Sequence, residues 1–131
     1  IDSHIVRQYR NTEEKALHST KIFNPPESLK ELIALAKDHV SLGNITGEGW
    51  LLTAEMISLI KNGINNIICL QPFGCLPNHI VGKGMIRELL HSYPQANIVP
   101  IDCDSGASEV NQLNRIKLML AVAFEKIKEH K

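Results

Sequence analysis

Apolar positions recur along the chain in two rhythms, and the change from one to the other marks its elements. From Pro26 onward Leu29, Leu32, Ile33, Ala36 and Val40 are spaced by three and four residues, the signature of an amphipathic helix. Pro26 suits a first helical turn, and the pattern predicts an end near Gly43. Leu51, Leu52, Met56, Leu59 and Ile60 repeat the helical spacing until Asn62 and Gly63 stop it. The rhythm then breaks into "NNIICL", a short β-branched run without polar alternation, which predicts a strand covered on both faces. After the turn "QPFGC", the residues Ile80, Val81, Met85, Ile86, Leu89 and Leu90 give a third helix opened by Leu76 and Pro77. "NIVPI" predicts a second strand. Ser105 or Ser108 then caps a last helix with apolar positions Val110, Leu113, Ile116, Leu120, Ala123, Phe124 and Ile127.

Strand, helix, strand, helix is a βαβ unit, whose parallel crossover places the chain in the α/β class. The first 25 residues are polar and weakly patterned, with a helix expected over Asn11 to Ser19 that stops before Pro25 and Pro26. The expected division is an arm or linker over 1–25 and an α/β lobe over 26–131. Two strands make a small sheet. A third strand is expected either from the arm, at "SHIVRQY", or from a second copy paired along a sheet edge, so a homodimer is expected.

Composition removes several classes of function. With 14 basic and 14 acidic residues the formal net charge is zero, so no broad field draws nucleic acid or an anionic membrane. Apolar residues at 44% and charged residues at 21% are globular proportions and exclude a disordered chain. No apolar stretch approaches the roughly 20 residues of a membrane span, and the first residues lack the apolar centre of a signal peptide. A cytoplasmic protein is expected. Three cysteines, an odd number without a dense framework, point to thiols or metal ligands rather than a disulfide scaffold. Beginning at Ile1 without a methionine, the sequence is expected to be a piece of a longer protein.

In open parallel sheets, ligands gather outside the carboxyl ends of the strands. "CLQPFGCLPNHI" and "IDCDSGASE" both fall there, so residues 72–79 and 102–108 are expected to be neighbours. Cys75 lies at a helix N-terminus, where unpaired N–H groups and the helix dipole stabilise a thiolate for catalysis or metal binding. Cys69, inside the strand, is read as a small buried hydrophobe. His79 is four residues beyond Cys75, on the same helical face, and reads either as a partner in a zinc or nucleophile pair or as a surface histidine. Asp102 and Asp104 either bind a hydroxyl, a cation or a ribose, or form a turn and helix cap. Arg115 is a surface ion-pair residue unless the last helix points its start at a ligand. Two glycines inside the third helix, in "GKG", imply close packing or a close ligand, since each costs about 1 kcal/mol relative to alanine. "GEGW", with Glu48 and Trp50, is either a lip of a site or an aromatic helix anchor.

Three stretches, "LGNITGEGWLLTAEMI", "NNIICLQPFGCLPNHIVGKGMIRELL" and "ANIVPIDCDSGASEVNQLNRIKLMLA", carry a resemblance to a known family. Over about residues 26 to 124 the chain resembles the C-terminal region of CoA-substrate-specific enzyme activase-related proteins of anaerobic bacteria, the activators of 2-hydroxyacyl-CoA (2-hydroxyglutaryl-CoA) dehydratase. That region is in turn similar to the dehydratase subunits, iron–sulfur proteins with flavodoxin-like α/β lobes. The resemblance implies a flavodoxin- or Rossmann-like βαβα lobe in which Cys75 ligates a 4Fe-4S cluster. It also places Asp102 and Asp104 at the acidic strand end and Asn114 and Arg115 at the polar–arginine pair on the site rim. The implied chemistry is a one-electron, ketyl-radical loss of water from an acyl-CoA, with the electron delivered by an ATP-hydrolysing activator. Implied partners are upstream regions of the parent chain and the activase or dehydratase subunits, which supply the other cluster ligands, since a cubane needs more than one thiolate. The chain departs from the family at Cys103, where an aromatic residue is expected. It also lacks a phosphate loop, so on its own it is expected to be inactive and not to hydrolyse ATP. A docking lobe without a cluster is the alternative.

Overall fold

A computed structural model describes residues 2–22 and 25–129. The elements run α1 (Asp2–Thr20), α2 (Leu29–Ala36), α3 (Leu51–Lys61), β1 (Asn66–Pro72), α4 (Ile86–Ser92), β2 (Asn97–Cys103) and α5 (Glu109–Glu129). A π turn at Asn78–Gly82 and a 3-10 turn at Lys83–Met85 lead into α4. The α/β class holds: a two-stranded parallel sheet is flanked by helices.

The arm differs from its sequence reading. Helix α1 covers the whole span from Asp2, so "SHIVRQY" supplies no strand. The stretch mixes good helix formers with an i,i+4 pair, Arg10 Nε to Glu14 Oε1 at 2.8 Å, and has no run of alternating β-branched residues. Arg10 also donates to the Pro26 carbonyl at 3.3 Å. Phe23 and Asn24, at the end of the expected arm, lie outside the described residues.

Helix α2 starts at Leu29 rather than at Pro26, because Ser28 caps it. The Ser28 N–H donates to Glu31 Oε2 at 2.6 Å and the Glu31 N–H to Ser28 Oγ at 3.4 Å, a capping box that fixes the first turn. The helix ends at Ala36, short of Gly43, in turns that bring the N–H groups of both His39 and Val40 onto the Ala36 carbonyl. The following loop closes when Trp50 N–H meets the Asn44 carbonyl at 2.9 Å. Gly49 sits inside that closure with φ of +51°, and a Cβ there would lie 1.9 Å from the Asn44 oxygen. No other residue fits this position without moving the backbone.

The core lies on one side of the sheet. Met56, Ile57 and Ile60 of α3 pack with Ile86 and Leu89 of α4 against Ile67 and Cys69 of β1 and Ile98 of β2. Gly82 lets the π turn settle onto this layer, since a Cβ would stand 3.2 Å from Cys69 Sγ and 3.8 Å from Leu52 Cδ1. The close-packing reading of that glycine is therefore the correct one. Nearby, the buried Thr53 hydroxyl donates to the Val81 carbonyl at 3.1 Å, satisfying a group where the helical hydrogen-bond register changes.

The expectation of a strand covered on both faces is not met. In β1, Ile67, Cys69 and Gln71 are buried while Ile68 and Leu70 are exposed. The reason is the placement of α5, which runs alongside β2. Gln112 Nε2 donates to the Asp102 carbonyl at 2.6 Å, Arg115 Nη1 to the Pro100 carbonyl at 3.3 Å, and Asn97 Nδ2 to the Met119 carbonyl at 3.0 Å. The stripe that α5 turns inward is Gln112, Ile116, Met119 and Ala123, leaving Val110, Leu113, Leu120, Phe124 and Ile127 of the expected apolar face exposed. Ser108 is the N-terminal cap, its Oγ accepting from Asn111 N–H at 3.5 Å.

Candidate functional site

The sheet register joins the two loops that the sequence places together. Pro72 pairs with Cys103 and Gln71 with Asp102, so the turn after β1 and the turn after β2 leave the same carboxyl edge. The first turn is closed by the Cys75 N–H, which donates to the Pro72 carbonyl at 3.1 Å, with Gly74 at φ of +68° in its third position. Cys75 then starts the next helical segment, its carbonyl accepting from His79 N–H at 3.3 Å.

The Cys75 thiol is half-buried and donates to Asn78 Oδ1 at 3.0 Å. Asn78 Nδ2 in turn donates to the Leu70 carbonyl at 2.9 Å. One amide thus fastens the thiol to the strand it follows. His79 is exposed, as in the surface-histidine reading, and Asn78 is the side chain that meets the Cys75 thiol. Phe73, at the tip of the turn, is 82% exposed, and Leu76 and Ile80 are exposed beside it.

The other two cysteines differ in setting. Cys69 is part of the core, as its strand position implies, with Gln71 Nε2 donating to its sulfur at 3.1 Å. Burial pushes this thiol up from its ordinary value, which suits a structural group rather than a ligand. Cys103 is exposed, its sulfur 3.6 Å from the Ile101 carbonyl.

Asp102, Asp104 and Arg115 line one open cavity of about 570 Å³ at the end of β2, together with Ser108, Asn111 and Asn114. Asp102 Oδ1 faces Lys83 Nζ at 3.2 Å. Asp104 Oδ1 accepts from Gly106 N–H at 2.8 Å, and its carbonyl from Ala107 N–H at 3.1 Å. Asp104 therefore forms the turn that the residue mix allowed. Arg115 Nη1, exposed, donates to the Pro100 carbonyl at 3.3 Å. Trp50 packs against the second core cluster of Ala36, Val40, Ala54 and Val81, as an aromatic helix anchor does.

Three functional-looking residues were not singled out by sequence. Asn78 carries a signal, an Asx residue in a first helical turn. Lys83 was visible only as the middle of "GKG". Gln71 is 1% exposed, and among the described residues its Oε1 has no hydrogen-bond partner. Among the described residues no three His, Cys, Asp or Glu side chains converge as a metal cage. A cubane needs more than one thiolate, so a cluster at Cys75 would draw its other ligands from outside these residues. No helix among the described residues is long and apolar enough to cross a membrane. No family model, curated protein or solved structure matches the chain.

Proposed function

We propose that this chain is a flavodoxin-like lobe of a cytoplasmic, activase-related 2-hydroxyacyl-CoA dehydratase-like protein, and that Cys75 is one thiolate ligand of its 4Fe-4S cluster. The observation that carries this reading is the position of Cys75: a half-buried thiol in the strand-to-helix turn at the carboxyl end of a parallel sheet. The resemblance of three long stretches of the chain to the activase-related family supports it. A cluster held there would supply one-electron chemistry for the removal of water from a 2-hydroxyacyl-CoA. Asp102, Asp104 and Arg115 form the rim beside it, and the remaining ligands come from upstream regions of the parent or from activase or dehydratase subunits.

Loss of the thiol proton on ligation removes the donor that now faces Asn78 Oδ1. A thiolate there would accept a hydrogen bond, and Asn78 Nδ2, which now donates to the Leu70 carbonyl, is the group that would supply it. A second reading, a docking lobe without a cluster, is favoured by the exposed Phe73, Leu76 and Ile80 around Cys75, a patch suited to a protein partner. Electron paramagnetic resonance of the intact protein, purified without oxygen and reduced, separates the two. A cluster signal that Cys75→Ser removes supports ligation, and its absence from both proteins supports docking.

A further inference from the structure

Among the described residues both strands of the sheet are edges, and the β1 edge is the barer one, with only the Asn78 side chain reaching it, at the Leu70 carbonyl. Pro100 has no N–H, so in the parallel ladder its position must face away from β1, and its partner Cys69 must carry the ladder bonds at that level. Ile68 and Leu70 then turn their backbone groups to the opposite side of β1. The Leu70 carbonyl does meet the Asn78 side chain there rather than β2. On the β2 side, Gln112 and Arg115 close the edge. Along β1 no further strand pairs among the described residues. A groove of about 260 Å³ follows this edge, lined by Leu52, Leu59, Ile68 and Leu70, with Ile68 44% and Leu70 54% exposed.

The surface area leaves room for a partner. The chain exposes 9354 Å², whereas a folded monomer of 14.6 kDa exposes about 6,900 Å². The excess, about 2,400 Å², is well above the ~800 Å² per partner of a standard interface. Helix α1 holds part of it, and exposed apolar side chains on β1 and α5 hold another part.

We propose that a second copy of this chain pairs its β1 antiparallel to this one, about a two-fold axis at Cys69, to form a four-stranded sheet ordered β2, β1, β1, β2. This register sets Ile68 opposite the partner's Leu70 and Leu70 opposite the partner's Ile68, so a single surface is complementary to itself. No charged side chain occurs from Ile64 to Gly74, and the net charge of zero leaves no long-range repulsion between copies. Glu55 is the charged group on the groove, and burial, followed by the charge of Glu48, pushes its carboxyl up from the ordinary value. The proposal does not depend on a cluster at Cys75.

Sedimentation equilibrium and amide hydrogen exchange on this chain test it together. A dimer is expected at high micromolar concentration, with slow exchange at Ile68 and Leu70. Leu70→Lys should raise the dissociation constant by about tenfold or more and make those two amides fast, while Cys69 stays protected as the sign of an intact monomer fold. If Leu70→Lys unfolds the chain, Ile68→Lys serves in its place. A monomer at the same concentration, or a dimer with fast Ile68 and Leu70 amides, would overturn the proposal.

Discussion

Cys75 and Asn78 are joined by a hydrogen bond of 3.0 Å from the thiol to the amide oxygen, and the same amide reaches back to β1. Removing Asn78 thus breaks two contacts of the turn at once. Asn78→Ala is expected to lower stability by about 1 to 2 kcal/mol and to speed alkylation of Cys75 by a maleimide. Urea denaturation and a labelling time course measure the two effects. An unchanged labelling rate would show that Asn78 does not hold the thiol.

Gly49 tests the loop in front of α3. Its left-handed φ and the 1.9 Å approach of a Cβ to the Asn44 oxygen make Gly49→Ala destabilising by roughly 3 kcal/mol, from strain and overlap together. Gly63→Ala is the control: its φ is +83° but nothing lies within 4 Å of a Cβ there, so the loss should be about 1 kcal/mol. Comparing the two midpoints in urea isolates the clash.

The Lys83–Asp102 pair spans the site at 3.2 Å, but both side chains are 40% exposed. Solvent screens such a pair, so Asp102→Asn should change stability by less than about 1 kcal/mol. A larger loss in thermal denaturation would mean that Asp102 has a structural role beyond this contact.

Acid sensitivity has opposing parts. The Glu27 carboxyl is held below its ordinary 4.5, first by the Ser58 hydroxyl and with help from Asn62. The Glu31 carboxyl is lowered by Ser28, through its hydroxyl and its backbone N–H. A lowered folded value means that the unfolded chain takes up these protons first. Their contribution is fully present above 4.5 and is lost as pH falls below it through the folded values. Glu55 is raised by burial, and so favours folding in acid, an effect lost as pH rises from 4.5 through its folded value. Glu55→Gln should therefore raise stability at neutral pH, and Ser28→Ala should lower it there while weakening its fall in acid. Urea midpoints across the range from neutral to acid pH report both.

Periodicity located α3, β1, β2 and α5, because each has a strong apolar rhythm and clear stop residues. It placed the α2 start too early, since Pro26 fits a first turn but Ser28 and Glu31 make the better cap. It could not show that β1 has one bare face: Ile68 and Leu70 look like core residues until the position of α5 is known. The π turn at Asn78–Gly82 likewise depends on a tertiary contact, Gly82 against Cys69. At the site, Cys75 and the strand-end aspartates were legible from their places beside turns. Asn78 was not, because its place rests on two contacts, to the Cys75 thiol and the Leu70 carbonyl, that residue spacing does not show.

The most direct test of the cluster assignment is iron and acid-labile sulfide per chain in the intact protein, prepared without oxygen as wild type and as Cys75→Ser. About four of each in the wild type, with most lost in the variant, is the expected result for a cubane held through this thiolate. Equal iron in both proteins, or none in either, would contradict Cys75 as a ligand.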